Sequence, residues 1–249
     1  MFIEFHIGLL LWTLLPPLIY AFILYLTTPY GTFDLKKSLF YVAGGLLSII
    51  FVFMFAAFFE MNAYDAFKQH FFIVGPREEL SKFLAFLLVS LSIKSTSKHP
   101  VSTMLSLGMV GLGFALYENL SYTYRYGEDV LIIRSFTSTL GHMIFSMFVG
   151  YWYALSDIAT SLGNRSRTVF GVFMEKYPKI RKLIYTLIGL ICGASIHGLW
   201  NFNLSLYGKT TIPFMILLII LGLITCKFGI SDLNTQYRRT LGKKSSKDV

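Results

Sequence analysis

Four short runs of this chain set ionisable or hydrogen-bonding side chains in strongly apolar surroundings. In "GPREELSKFLAFLLV", Glu78 and Lys82 are four residues apart and Glu79 and Lys82 three, so a helix puts them on one face. In "GLGFALYENLSY", Phe114, Glu118 and Asn119 close an apolar run that also holds Gly108, Gly111 and Gly113. His142 stands alone in "STLGHMIFSMFVGYW", and "CGASIHGLWNFNL" spaces His197 and Asn201 one helical turn apart. Placing an acidic or basic residue at the centre of a membrane span costs roughly 2.5–3.5 kcal/mol, so such residues are functional candidates by default. Each also has a structural reading. Acids suit a helix N-terminus and its dipole, a glutamate often closes a helix at an interface, a lone histidine on an apolar face is usually packed core, and Asn can join two helices.

Taken together, these side chains suit one kind of chemistry. A Lys–Glu pair leaves the other carboxylate free to act as a base, and a histidine with a carboxamide one turn away can donate to a developing oxyanion. The chain has no Ser/Lys or Cys/His nucleophile arrangement and no GxSxG, GxGD or HExxH motif. Water activated by a carboxylate, with or without a metal, attacking a carbonyl held by His and Asn donors is what remains. That describes hydrolysis of a peptide bond inside a membrane.

The elements that must position these residues follow from composition. The 249 residues are 55% hydrophobic and only 14% charged, with a mean hydropathy of +0.61. A soluble domain holds about 25% charged residues, so an all-α polytopic membrane protein is expected. The net charge of +9 sits in a few loops and the tail, as orientation signals do, and does not indicate nucleic-acid binding. Cys192 and Cys226 lie in separate apolar runs, without the spacing of a disulfide framework or thiolate metal site. The N-terminal run lacks a basic leader and cleavage site, and reads as a retained first span with a kink at Pro16-Pro17.

A bilayer crossing needs about 20 apolar residues, which gives a bundle of about seven transmembrane helices. They are placed near 7–26, 39–59, 78–93, 101–120, 136–156, 183–203 and 212–230. The mixed segment 60–77 is expected at the interface. Lys36, Lys37, Lys94, Lys98, the basic residues of 159–182 and those from Lys227 onward fall on one side. Lys68, Arg77, Arg125, Arg134 and Lys209 fall on the other. This asymmetry assigns an N-out/C-in topology, a basic cytoplasmic loop at 163–182 and a basic cytoplasmic tail at 231–249. No boundary divides the chain, so 1–249 reads as one integral-membrane domain. In that topology all four polar runs lie in the outer portion of the membrane although their spans alternate in direction. One shared, outward-facing cavity explains this more simply than four unrelated structural contacts.

The four blocks, in this order, resemble the PrsW family of intramembrane proteases, which is distantly similar to the CAAX prenyl endopeptidases and the bacteriocin-processing Abi proteins. The resemblance covers about 70–205 and rests on EExxK (Glu78, Glu79, Lys82), FxxxE (Phe114, Glu118), His142, and HxxxN (His197, Asn201). The CAAX branch resembles EExxxR followed by FxxxH. Here Phe83 replaces that arginine and Glu118 that histidine, which sides with PrsW. The resemblance implies cleavage of a single-span membrane protein, typically an anti-sigma factor, near the extracytoplasmic side of a bacterial plasma membrane.

By analogy with the wider superfamily, Glu78 or Glu79 would be the general base and His142 would position the water or shuttle a proton. His197 and Asn201 would form the oxyanion hole, Lys82 would hold the acid pair, and Glu118 would order a histidine. Glu118, His142 and His197 could also furnish a mixed carboxylate–imidazole Zn2+ site, so metal-dependent and metal-free glutamate catalysis both stay open. The alternatives are a CAAX-type endopeptidase, or a transporter, channel or receptor using a buried Glu/Lys/His network. An ion path should continue through the inner half of the bundle, where the sequence offers no chain of polar residues.

Overall fold

The computed structural model describes residues 7–58, 65–93, 99–127, 129–159, 176–207 and 211–245, and every regular element among them is helical. In chain order these are α1 (Ile7–Thr27), α2 (Leu35–Ala56), the single turn α3 (Ala66–Lys68), a π-helical stretch (Gln69–Val74) and α4 (Gly75–Ser92). α5 (Pro100–Tyr126), the short α6 (Asp129–Phe136), α7 (Ser138–Ala159), α8 (Pro178–Tyr207) and α9 (Ile212–Ser245) follow.

Local chemistry sets several of the starts. Asp34 caps α2 by accepting from the Lys37 amide, and Asp65 caps α3 by accepting from Phe67. Proline stands in the first turn of α4 and α5, where its missing N–H has no partner to lose. α1 runs through Pro16 and Pro17 as one helix.

Helices occupy all seven positions expected from the sequence. Length and apolarity mark five segments as able to cross a membrane: Leu35–Ala56, Pro100–Tyr126, Val130–Ile158, Pro178–Leu206 and Ile212–Leu241. The apolar part of α1, Leu11–Thr27, is shorter. α4 begins at Gly75 rather than 78, so its charged first turn belongs to the helix. The tail expected from 231 continues α9 as far as Ser245. Segment 60–77 is described from Asp65 onward, while most of the basic stretch 163–182 lies outside the described residues.

α5 is the central post, mostly buried, with α2, α4, α7 and α9 packed around it and α8 against α7. Without water to drive association, helices in a bilayer are held by close van der Waals packing, and small residues permit it. A Cβ added at Gly113 would overlap the Val42 carbonyl oxygen of α2, and one at Gly45 would overlap the Val110 carbonyl oxygen of α5. On the opposite side of α5, a Cβ at Gly111 would strike the His142 carbonyl oxygen. The helix carrying Glu118 is thereby locked in height and phase against the helix carrying His142.

Candidate active site

The charged first turn of α4 points inward. Lys82 is completely buried (0% exposed), and its Nζ donates to Glu79 Oε1 at 2.5 Å. The ammonium also lies 4.8 Å from the Phe114 ring centroid and 3.4 Å from His142 Nδ1. Since an ammonium only donates, Nδ1 must be an acceptor and the His142 proton sits on Nε2. Nε2–H then donates to Glu118 Oε2 at 2.6 Å. The same carboxylate oxygen accepts from Arg134 Nη2 at 2.6 Å.

Arg134, on the short α6, is fixed four ways. Besides Glu118, it donates to Asn119 Oδ1 and Ser138 Oγ, and its guanidinium lies 3.6 Å from the Tyr122 ring centroid. Asn119 in turn donates to Thr139 Oγ1. Glu118 therefore has its charge matched and its position set by α6 and α7 before any substrate enters.

His197 comes from α8, which meets the π-helical stretch at two glycines. A Cβ at Gly198 would lie 3.0 Å from the His70 carbonyl oxygen, and one at Gly75 would lie 2.6 Å from the Ala194 carbonyl oxygen. This approach brings His197 Nδ1 to 2.9 Å from Glu79 Oε1. A carboxylate accepts, so Nδ1 carries a proton and donates it to Glu79. Nε2 faces Glu78 Oε2 at 3.5 Å, and that oxygen is buried with no hydrogen-bond partner. Phe145 stacks on the imidazole at 5.1 Å between centroids.

Each histidine is thus held at one nitrogen by a carboxylate, while its other nitrogen meets a charged side chain of α4, Lys82 for His142 and Glu78 for His197. Ligand atoms of Glu78, His142 and His197 all lie within 4.8 Å of one another, and all three residues are buried. One carboxylate and two imidazoles backed by carboxylates is a donor set that fits a divalent metal with an open coordination position. It differs from the expected set by one member: Glu78 takes the place of Glu118, which is occupied by Arg134 and His142.

A cavity of about 840 Å³ opens from this cluster. Glu78 and Glu118 line it from α4 and α5, Arg134 from α6, and Trp200 and Asn201 from α8. On α5, Glu118, Ser121, Tyr122 and Arg125 face it with helical periodicity. Among the described residues, the second cavity, about 260 Å³ between α5, α7 and α9, is lined by none of the expected site residues.

The structure brings Glu78, Glu79, Lys82, Phe114, Glu118, His142 and His197 into one connected group. Asn201 lines the same cavity a turn beyond His197. Arg134 was read from the sequence only as an outside positive charge. Its signal was an arginine on an apolar helical run, "DVLIIRSF", eight residues before His142. His70, also at the cavity, was hidden in the mixed segment ahead of α4. Burial and the nearby His197 push its imidazole below the ordinary value, so it is neutral at neutral pH.

A family model described as "PrsW family intramembrane metalloprotease" matches residues 36–225. The chain is 27% identical over 188 residues to Protease PrsW of Shouchella clausii, covering 74% of this chain and 78% of that protein. It is 24% identical over 191 residues to Protease PrsW of Oceanobacillus iheyensis, covering 75% and 80%. No solved structure matches.

Proposed function

We propose a cutting mechanism for this chain, which belongs to the PrsW family of intramembrane metalloproteases and is an integral-membrane protease. Glu78 is the general base. Glu78 lines the cavity, whereas Glu79 does not, and Glu79 commits Oε1 to Lys82 and His197 and acts by positioning them.

Water held by Glu78 beside the His142 ring loses a proton to Glu78 and attacks the scissile carbonyl carbon. The Asn201 amide donates to the carbonyl oxygen as it becomes negative. Glu78 then passes the proton to the leaving nitrogen as the C–N bond breaks. His197 has committed its Nδ1–H to Glu79, so it can donate to the oxyanion only when it carries a second proton. Glu78, His142 and His197 would hold a divalent metal, and zinc bound there supplies Lewis-acid polarisation and a more acidic water. A carboxylate has two oxygens, so Glu78 retains one for the proton in either case.

The substrate on this reading is a single-span membrane protein of the anti-sigma-factor type. It is cut near the extracytoplasmic face of a bacterial plasma membrane by an enzyme oriented N-out/C-in. What supports that side is the distribution of lysine and arginine, with Arg77, Arg125 and Arg134 around the cavity and the denser basic runs in the stretches of sequence assigned to the opposite side.

One observation carries the mechanism: three buried donors from three helices meet within 4.8 Å beside the cavity. Purified protein in proteoliposomes, given a doubly tagged single-span substrate, tests it. Glu78→Gln should lower cleavage by about a hundredfold or more. Full activity in that variant would overturn the base assignment. Loss of cleavage in chelator with recovery on zinc assigns the metal, and undiminished cleavage by metal-depleted protein assigns metal-free catalysis.

A further inference from the structure

Two arginines at the cavity take no part in holding the reacting cluster. Arg77 is the residue before Glu78, and Arg125 lies two turns along α5 from Glu118 on the same face. Arg134 balances Glu118, but neither Arg77 nor Arg125 has an ion-pair partner among the described residues. Arg77 Nε is buried without a hydrogen-bond partner, and so is Nδ1 of the neighbouring His70. A buried guanidinium nitrogen left unsatisfied costs stability, and an arriving anion relieves that cost. The cavity therefore presents a net positive wall directly beside its catalytic carboxylate.

We propose that Arg77 and Arg125 form a carboxylate-binding subsite that selects substrates carrying Asp or Glu close to the scissile bond. This rests on the protease reading of the same cavity. An extended peptide advances about 3.3–3.6 Å per residue. Arg77 adjoins Glu78 in the chain, so the acid it holds lies within about three residues of the cleaved bond. Guanidinium is suited to this role because its planar fork matches a carboxylate and it never loses its charge. The arrangement also offsets an electrostatic conflict: an acidic substrate segment approaching Glu78 and Glu118 alone would be repelled.

The test is a panel of single-span substrates differing only in one residue, Asp, Asn, Ala or Lys, at each of three positions on either side of the cleavage site. Wild-type protein in proteoliposomes should cleave the best-placed Asp substrate about tenfold faster than its Asn and Ala counterparts. Arg77→Gln should reduce that ratio to near one, Arg77→Lys should keep part of it, and Arg77→Glu should favour the Lys substrate. Arg125→Gln should reduce the ratio in a protein whose α4 is untouched, which separates selection from misfolding. Equal cleavage of all substrates by wild type overturns the subsite and leaves the protease reading standing. A proportional fall for every substrate in Arg77→Gln also overturns it, because that is the signature of a structural role. Cleavage of no substrate at all would overturn both readings.

Discussion

Glu79 and His197, 118 residues apart in sequence, are joined by a 2.9 Å hydrogen bond between carboxylate and imidazole, and Lys82 binds the same carboxylate oxygen. One oxygen thus orients a histidine on α8 and neutralises a lysine on α4. A separate Glu118–His142 pair, supported by Arg134, does the equivalent task across α5 and α7. The two arms differ in sequence position and share one purpose: each holds a buried imidazole beside Glu78.

Breaking the first arm should affect folding before chemistry. Removing one partner of a buried ion pair strands the other and costs about 3–5 kcal/mol. Lys82→Met should therefore lower the thermal unfolding midpoint of detergent-solubilised protein markedly. The double variant Lys82→Met/Glu79→Gln should recover much of that stability. It should not recover cleavage, because the His197 orientation also depends on the Glu79 carboxylate. Recovery of both together would show that Glu79 has no positioning role.

The second arm should show the reverse balance. Arg134→Met leaves the helix intact but frees Glu118, so His142 loses its fixed orientation. Partners behind catalytic or metal-binding histidines are worth about 10–100-fold. A fall of that size in kcat is expected, with a smaller change in KM. Arg134→Lys should restore little, because lysine cannot span Glu118, Asn119 and Ser138 with one fork.

Gly113→Ala sets two effects against each other. Alanine in a helix interior gains about 0.5–1 kcal/mol over glycine. The added methyl, however, would overlap the backbone carbonyl oxygen of Val42, which no side-chain rotation can relieve. Overpacking costs about 1–3 kcal/mol, so a net loss of stability is expected by thermal unfolding, with α2 displaced from α5. An unchanged midpoint would mean that α2 is free to move away.

His99 gives stability a pH dependence at the opposite end of α5. It caps the helix by accepting from the Val101 amide through Nδ1, and its ring packs 4.4 Å from that of Tyr237. Burial and Arg238 lower its affinity for a proton, against a hydrogen bond with Asn234 that raises it, and the net value lies below the ordinary one. The folded state thus prefers neutral histidine. Its contribution is present above the unfolded value near 6.5 and is lost as pH falls through the lower folded value. The unfolding midpoint should drop below about pH 6 in wild type, and less so in His99→Asn, which caps without titrating.

The sequence made the helical class, the helix positions and most of the site legible for a simple reason. Ionisable residues in apolar runs stand out, and EExxK and HxxxN each place their members on one helix face. What it hid were relationships between helices. Glu78 rather than Glu118 groups with His142 and His197 because of the close approach of α8 to the start of α4 and the turn before it, at Gly75 and Gly198. Arg134 looked like an ordinary loop charge because α6 is a short helix folded against the end of α5. His70 belongs to a π-helical stretch that mixed polarity cannot reveal.

The glycine contacts have a consequence for how a bond could be cut here. Backbone meets backbone between α2 and α5, between α5 and α7, and between α7 and α8, where Cβ atoms at Gly189 and Gly193 would lie 3.0 Å from the Val149 and Phe145 carbonyl oxygens. A bundle riveted along its seams has little freedom to reach out towards a peptide. The scissile carbonyl of a helical substrate is meanwhile tied to an amide four residues further on. The unwinding needed to bring that carbonyl to Glu78 must therefore take place in the substrate, which makes the fragility of a target helix a second criterion for cleavage alongside its charge.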